Sequence, residues 1–219
     1  MKGLLKKDFC LLSRYMRFIL IYMVAMVVLF GMTSENAVSG FASAMSVLCI
    51  ILPIYTITTM SLDETSKWDS LAIAFPLRRS QIVGSKYILA IIMLGIGVAG
   101  GAVCTGVLAL FHAGAEVWAN LTVLLVLLCY NTLMLSVLIP LVFKFGGEKS
   151  RFIMMGVYMV PTFLVVFLFS RFGKNLNFEA MAQDTMLCAF LLGGAVLIAV
   201  TAYVISYFIS LNIYKRKEF

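Results

Sequence analysis

The sequence is poor in charged residues and in the side chains that soluble enzymes use for catalysis. Only 12% of its 219 residues are Asp, Glu, Lys or Arg, and it has a single histidine, His112. Soluble globular domains carry about 25% charged residues. The mean hydropathy is +1.05. We conclude that lipid, rather than water, surrounds most of this chain.

The familiar catalytic and metal-binding motifs are also missing. There is no His-Glu-x-x-His and no Gly-x-Ser-x-Gly, and in the glycine-rich stretch at 146–150 Glu148 breaks the Gly-Lys-Ser/Thr ending of a phosphate loop. The five cysteines are odd in number and widely spaced, which favours small apolar residues over disulfides or a metal site. His112 is interpreted as an interfacial side chain rather than a ligand. We predict no catalytic, cofactor or metal site in this chain.

The sequence has six long apolar segments instead. A membrane-spanning helix needs about 20 residues, and in lipid each segment must satisfy its own backbone hydrogen bonds, which favours α-helices. No acid or base lies well inside a segment, which disfavours an ion-coupled carrier. The predicted fold is a single all-α polytopic membrane domain, 1–219, with spans at about 18–34, 36–62, 87–112, 117–143, 152–170 and 185–214.

The basic residues predict the orientation. With six spans, all of the 17 lysines and arginines except Arg171 and Lys174 fall on one side, and such residues favour the cytoplasmic side. We therefore predict cytoplasmic termini and a retained first span rather than a cleaved signal peptide. The net charge of +7 indicates topology and affinity for anionic lipid headgroups rather than nucleic acid.

Residues 1–17 are predicted to form an amphipathic helix in the cytoplasmic interface. Its apolar side carries Leu4, Leu5, Phe9, Leu12 and Met16, and the other side carries Lys2, Lys6, Ser13 and Arg17. The alternative is a short tail with a few basic anchors.

The longest polar interval, the loop at 63–86, is predicted to contain a short amphipathic helix. Ser61 and Glu64 have capping-box spacing, Pro76 would end that helix, and Ser80 could cap a second turn leading into the third span. An apolar stripe at helical spacing follows the proposed cap: Trp68, Leu71, Ala72 and Phe75. Such a helix suits contact with a partner protein or with the membrane surface.

Two patches of sequence resemble permeases of the type-2 exporter class of ABC transporters, in the compact branch that includes the exporter of phenol-soluble modulin peptides. One patch is MKGLLKKDF at 1–9, and the other lies in and around the loop. The number and order of spans are similar too. The residues of the second patch are at 63–64, 66–69, 75–77, 79, 81–83 and 85–87.

The resemblance implies a permease without its own ATPase site. It would work with two separately encoded ABC ATPase subunits, which bind ATP and Mg, and with a second permease copy, identical or related, in a bacterial plasma membrane. The loop would be the coupling helix that docks on the ATPase. Residues implied in docking are Asp63, Glu64, Lys67, Trp68, Asp69, Leu71, Phe75, Arg78 and Arg79.

In this family, spans two and five line the substrate path at the dimer interface. The residues so implied are Tyr55, Thr58, Thr59, Met154, Met155, Tyr158, Met159 and Phe163. Methionine-rich surfaces adapt to varied apolar cargo. The alternatives are that Trp68 and Phe75 rest on lipid headgroups, and that the methionines and aromatics of spans two and five face lipid or pack inside the chain.

The expected function is export of amphipathic or antimicrobial peptides, or of other hydrophobic compounds, driven by ATP hydrolysis in the partner. A second hypothesis is a membrane sensor or scaffold, in which the same loop docks a signalling partner and nothing crosses. A third, an ion-coupled carrier, is disfavoured by the lack of acids and bases inside the spans.

Overall fold

The structure, a computed structural model, describes residues 3–11, 55–68, 78–111, 117–172 and 185–216, together with 18, 21, 25 and 29. These residues are helical except for Arg78, Gly146 and the turn at 66–67. The helices are numbered here in chain order: α1 (3–11), α2 (55–65), α3 (Arg79–Phe111), α4 (Val117–Phe145), α5 (Gly147–Phe172) and α6 (Thr185–Arg216).

Three segments within the described residues are long and apolar enough to cross a bilayer. They are Arg79–Val103 in α3, Asn120–Phe145 in α4 and Phe190–Arg216 in α6. Helix α5 contains a shorter apolar segment, Met154–Leu164. For the described residues, these segments confirm the prediction of an all-helical membrane protein. The six-span topology stays a prediction, because most of the first two predicted spans lies outside the described residues.

Helix α4 is central among the four long helices. It packs against α3, α5 and α6, most extensively against α6, and α3 also packs against α6. The main hydrophobic core lies where the first turns of α3 meet α2 and the last turns of α4 and α6. Its buried members are Ile57, Met60, Ile82, Val83, Tyr87, Ala90, Leu135, Leu138, Ile139, Val142, Phe143 and Tyr214.

A polar contact joins α3 to α6 within this core. The hydroxyl of Tyr87 is hydrogen-bonded to the hydroxyls of Ser206 and Ser210, each at 2.7 Å, and the Tyr203 hydroxyl donates to the Tyr87 carbonyl at 2.8 Å. The rings of Tyr87 and Tyr207 meet edge to face with centroids 5.4 Å apart. Hydrogen bonds of this kind help to hold membrane helices together where the hydrophobic effect between helices is weak.

The end of α2 corrects the prediction that Ser61 caps a new helix. Ser61 lies inside α2, which runs to residue 65. The Thr65 hydroxyl donates to the Ser61 carbonyl at 3.1 Å, and the Ser66 hydroxyl donates to the Leu62 carbonyl at 2.8 Å. Lys67 then has φ of 52°, the left-handed conformation common just after a helix. The polar side chains here satisfy the last free carbonyls of a helix rather than the first free N–H groups.

The start of α3 differs from its prediction in a similar way. The N–H of Arg78 donates to Gln81 Oε1 at 3.2 Å, and the N–H of Gln81 donates back to the Arg78 carbonyl at 2.8 Å. Arg78 is therefore the cap residue, and Ser80 lies inside the helix. Because α3 starts at Arg79, its first turns include part of the predicted loop 63–86.

Helix α5 follows α4 after the single residue Gly146, whose φ of +86° is left-handed. Among the long helices, α5 packs against α4. Its other side carries large apolar side chains that are exposed in this chain: Phe152, Met155, Met159, Val160, Phe163, Leu164 and Phe167.

Candidate functional site

Four charged side chains from α1, α2 and α3 form a closed ring, called here the charge cluster. Lys86 Nζ lies 3.0 Å from each carboxylate oxygen of Asp8 and 2.5 Å from Asp63 Oδ2. Lys7 Nζ lies 2.5 Å from Asp63 Oδ1 and 3.3 Å from Asp8 Oδ1. Each lysine therefore contacts both aspartates.

The charge cluster is buried and electrically neutral. Asp8, Lys86 and Asp63 are 1%, 5% and 6% exposed, while Lys7 is half-buried. Buried charges are tolerated when they are paired and hydrogen-bonded, and removing one partner leaves an uncompensated charge. The two lysines and two aspartates therefore hold three chain segments in one arrangement.

Apolar contacts also hold α1 against α3. Leu4 is 7% exposed, and Leu5 and Phe9 pack against the buried pair Leu89 and Met93 of α3. The apolar side of α1 thus rests on α3 as far as Phe9. Its placement in the lipid interface stays a prediction, since residues 12–17 lie outside the described parts.

Trp68, the aromatic anchor implied for docking, contacts its own chain. It is half-buried and packs against the main hydrophobic core, and Lys7 Nζ lies 4.3 Å from the centre of its ring. This cation–π contact links the residue just after α2 to the charge cluster. Trp68 thus lies at the start of the docking segment, the name used here for residues 66–78, and its contact with an ATPase stays a prediction.

Glu64, next to Asp63, points to a different neighbour. Its carboxylate lies against Gly146, where a Cβ atom would be 2.5 Å from Glu64 Oε1 and 3.1 Å from Oε2. Gly146 immediately precedes α5. The adjacent acids at the end of α2 thus contact different parts of the chain.

The remaining residues implied in docking are placed as follows. Lys67, Arg78 and Arg79 are exposed, and Arg79 Nη1 donates to the carbonyl of Lys215 near the end of α6. Three further predicted docking residues lie outside the described residues: Asp69, Leu71 and Phe75. The described residues therefore place both ends of the docking segment, at 66–68 and at 78.

The residues implied in the substrate path separate into two groups. Met155, Met159 and Phe163 lie on the exposed side of α5, 66%, 69% and 75% exposed. The others lie against or inside the packed chain: Met154 and Tyr158 pack on the main core, Tyr55 packs near Leu89 and Met93, Thr58 is half-buried, and Thr59 is 1% exposed. The structure does not gather the eight on one surface of the chain.

Sequence reasoning missed the charge cluster as a unit. Asp8 belongs to the resembling patch at 1–9 and Lys86 belongs to the loop at 63–86, but the sequence pattern assigns a role to neither. One signal was present: Asp8 follows Leu4 by four residues and therefore shares the apolar side of α1. An acid on the buried side of an amphipathic helix predicts a buried basic partner.

The arrangement holds the short helices α1 and α2 against the long helix α3. Within the described parts of the chain, no group of three or more His, Cys, Asp or Glu side chains could hold a metal ion. The class defined by the fold and the site is a helical membrane protein whose short segments are fixed to the ends of its long apolar helices.

Comparison with known families identifies this class. Residues 3–215 match the family described as ABC-2 family transporter protein, and the chain belongs to that family. A comparison with curated proteins found no match. The chain is therefore a membrane permease of the ABC-2 type, as the resemblance implied. Its membership of the compact peptide-exporter branch stays a proposal.

Proposed function

We propose that this chain is the permease subunit of an ATP-driven exporter that moves amphipathic peptides or other hydrophobic compounds out of a bacterial cell. Two separately encoded ATPase subunits supply ATP and Mg binding, and a second permease copy completes the path. Membership of the ABC-2 family over 3–215 is the observation that carries this proposal.

The anchoring of the docking segment supports the proposed coupling. A segment that transmits force must be firmly attached to the rest of the permease. The charge cluster and Trp68 hold the end of α2 to α1 and α3. At the far end of the segment, Arg79 joins α3 to α6. The exposed cations Lys67 and Arg78 flank the segment and can form rim pairs with an acidic ATPase surface.

The exposed side of α5 supports the choice of cargo. Its methionine and phenylalanine side chains form an apolar surface in this chain, and methionine adapts to partners of different shape. Such a surface suits an amphipathic helix or another hydrophobic compound.

Transport in sealed inside-out vesicles tests the function. The chain is reconstituted with its ATPase, and a fluorescent amphipathic peptide is supplied outside with ATP. We expect accumulation that requires hydrolysable ATP. An active ATPase without accumulation of any amphipathic or hydrophobic compound would overturn export and favour the sensor or scaffold.

Copurification tests the docking segment separately. Lys67→Glu together with Arg78→Glu should weaken ATPase association, because both side chains are exposed beside the segment. Lys144→Glu reverses an exposed charge at the end of α4 and serves as the matched control. Full association after residues 67–78 are replaced by a Gly/Ser linker would disprove docking at this segment.

A further inference from the structure

The contact between Glu64 and Gly146 joins the docking segment to the start of α5. Gly146 is buried, its φ is +86°, and the carboxylate of Glu64 occupies the space that a side chain at this position would need. The left-handed backbone favours glycine here, whereas the Glu64 carboxylate, at the end of a flexible side chain, would have to shift to admit a Cβ atom. A polar group of α2 therefore meets the only residue between α4 and α5.

Among the helices that the structure describes, α5 packs against fewer of the long helices than α3, α4 and α6 do. Helices α3, α4 and α6 each pack against the other two, whereas α5 packs against α4. The Tyr87 contacts with Ser206 and Ser210 further tie α3 to α6. A displacement at its first residue can thus turn α5 against a body of three mutually packed helices.

Charge favours the position of Glu64. The first N–H groups of a helix have no partner within the helix and carry partial positive charge. Helix α5 begins at Gly147, directly after the residue that the Glu64 carboxylate touches. Asp63, one residue earlier, is held by Lys7 and Lys86. The charge cluster thus fixes the backbone of α2 next to this carboxylate, and the Glu64 side chain is the part of α2 that reaches the start of α5.

We propose that Glu64 is a positioning residue for α5: it passes movement of the docking segment to the α4–α5 junction and so turns the exposed side that carries Met155, Met159 and Phe163. This inference rests on the proposed function. It assigns Glu64 to contact within the permease instead of to the ATPase rim.

Distances between the outer ends of the helices test this role in the full permease–ATPase complex in nanodiscs. Spin labels at Leu121 and Ser170 report α4 against α5, and labels at Leu121 and Phe190 report α4 against α6. The labels are placed in a background without the five native cysteines. We expect ATP to change the α4–α5 distance and to leave the α4–α6 distance nearly constant.

Glu64→Gln keeps the size of the side chain and removes its charge. We expect the fraction of molecules with the ATP-bound α4–α5 distance to fall about two- to fivefold, the range for losing one charge at a helix N-terminus. ATPase association should be retained. The control is Lys144→Gln, which removes a charge from the last turn of α4, where Lys144 lies over the Phe145 ring. This variant should leave the ATP-dependent change in the α4–α5 distance intact.

The outcomes separate this inference from the proposed function. An unchanged distance response in Glu64→Gln, with wild-type transport intact, would overturn the role of Glu64 and leave export standing. Loss of ATPase association in Glu64→Gln would instead return Glu64 to the docking surface and also overturn the inference. Failure of the wild-type complex to hydrolyse ATP or to transport would remove the proposed function itself.

Discussion

Substitution of Lys86 by methionine should destabilise the protein strongly. Lys86 contacts both carboxylate oxygens of Asp8 at 3.0 Å and Asp63 at 2.5 Å, and methionine keeps an unbranched apolar stem of similar shape. Breaking a buried ion pair from one side costs about 3–5 kcal/mol. Lys7 still contacts both aspartates, so we expect a loss of about 2–4 kcal/mol in the free energy of unfolding.

A second substitution checks the cause of this loss. If the penalty comes from an unpaired buried carboxylate, Asp8→Asn should recover about 1–2 kcal/mol in the Lys86→Met background, although Asp8→Asn alone should be destabilising. The sign of the effect of Asp8→Asn should therefore depend on whether Lys86 is present.

The measurement is reversible unfolding in mixed micelles titrated with SDS, followed by tryptophan fluorescence in a double-mutant cycle. A cost below about 1 kcal/mol for Lys86→Met, or additive effects of the two substitutions, would refute the argument that the charge cluster holds the three segments together. Thermal melting in nanodiscs gives an independent ranking of the same variants.

Two further substitutions test single contacts in the same unfolding assay. Gly146→Ala should lower the free energy of unfolding by about 1–2 kcal/mol because of its left-handed φ, while the Glu64 carboxylate, at the end of a flexible side chain, shifts at little further cost. A Gly146→Ala variant as stable as wild type would contradict this backbone geometry. Tyr87→Phe should cost about 1 kcal/mol, since Ser206 and Ser210 lose their partner but can turn to carbonyls of their own helix; no loss would show that these hydrogen bonds contribute little.

The long helices were predictable from the sequence because lipid leaves few alternatives. A segment that cannot exchange hydrogen bonds with water must satisfy its own backbone, and α3, α4 and α6 contain apolar stretches long enough to span. The helix ends were less predictable. At Ser61 and Ser80 the same residue types suit either a helix start or a helix interior, and neighbouring hydrogen bonds decided between them.

The candidate site was predictable only in part, for a physical reason. Local polarity marks the docking segment in the sequence. The charge cluster instead joins residues that are far apart in the chain: Lys7 and Asp63 are separated by 56 positions, and Asp8 and Lys86 by 78. A spacing of four residues groups Met155, Met159 and Phe163 on one side of α5, but it does not say which side packs on α4. That depends on the tertiary fold.

Adjacent residues on a helix point about 100° apart, and this chain uses two such pairs to connect its segments. Lys86 faces Asp8 and Asp63, while Tyr87 faces α6. Asp63 joins the same cluster, while Glu64 reaches the start of α5.

Because Lys86 is buried and paired from two sides, its loss should lower both the stability of the fold and the coupling of the docking segment to α5. Glu64 is exposed, so its loss should lower coupling with little change in stability. A loss of coupling with little loss of stability would indicate a contact that transmits motion but contributes little to the stability of the fold.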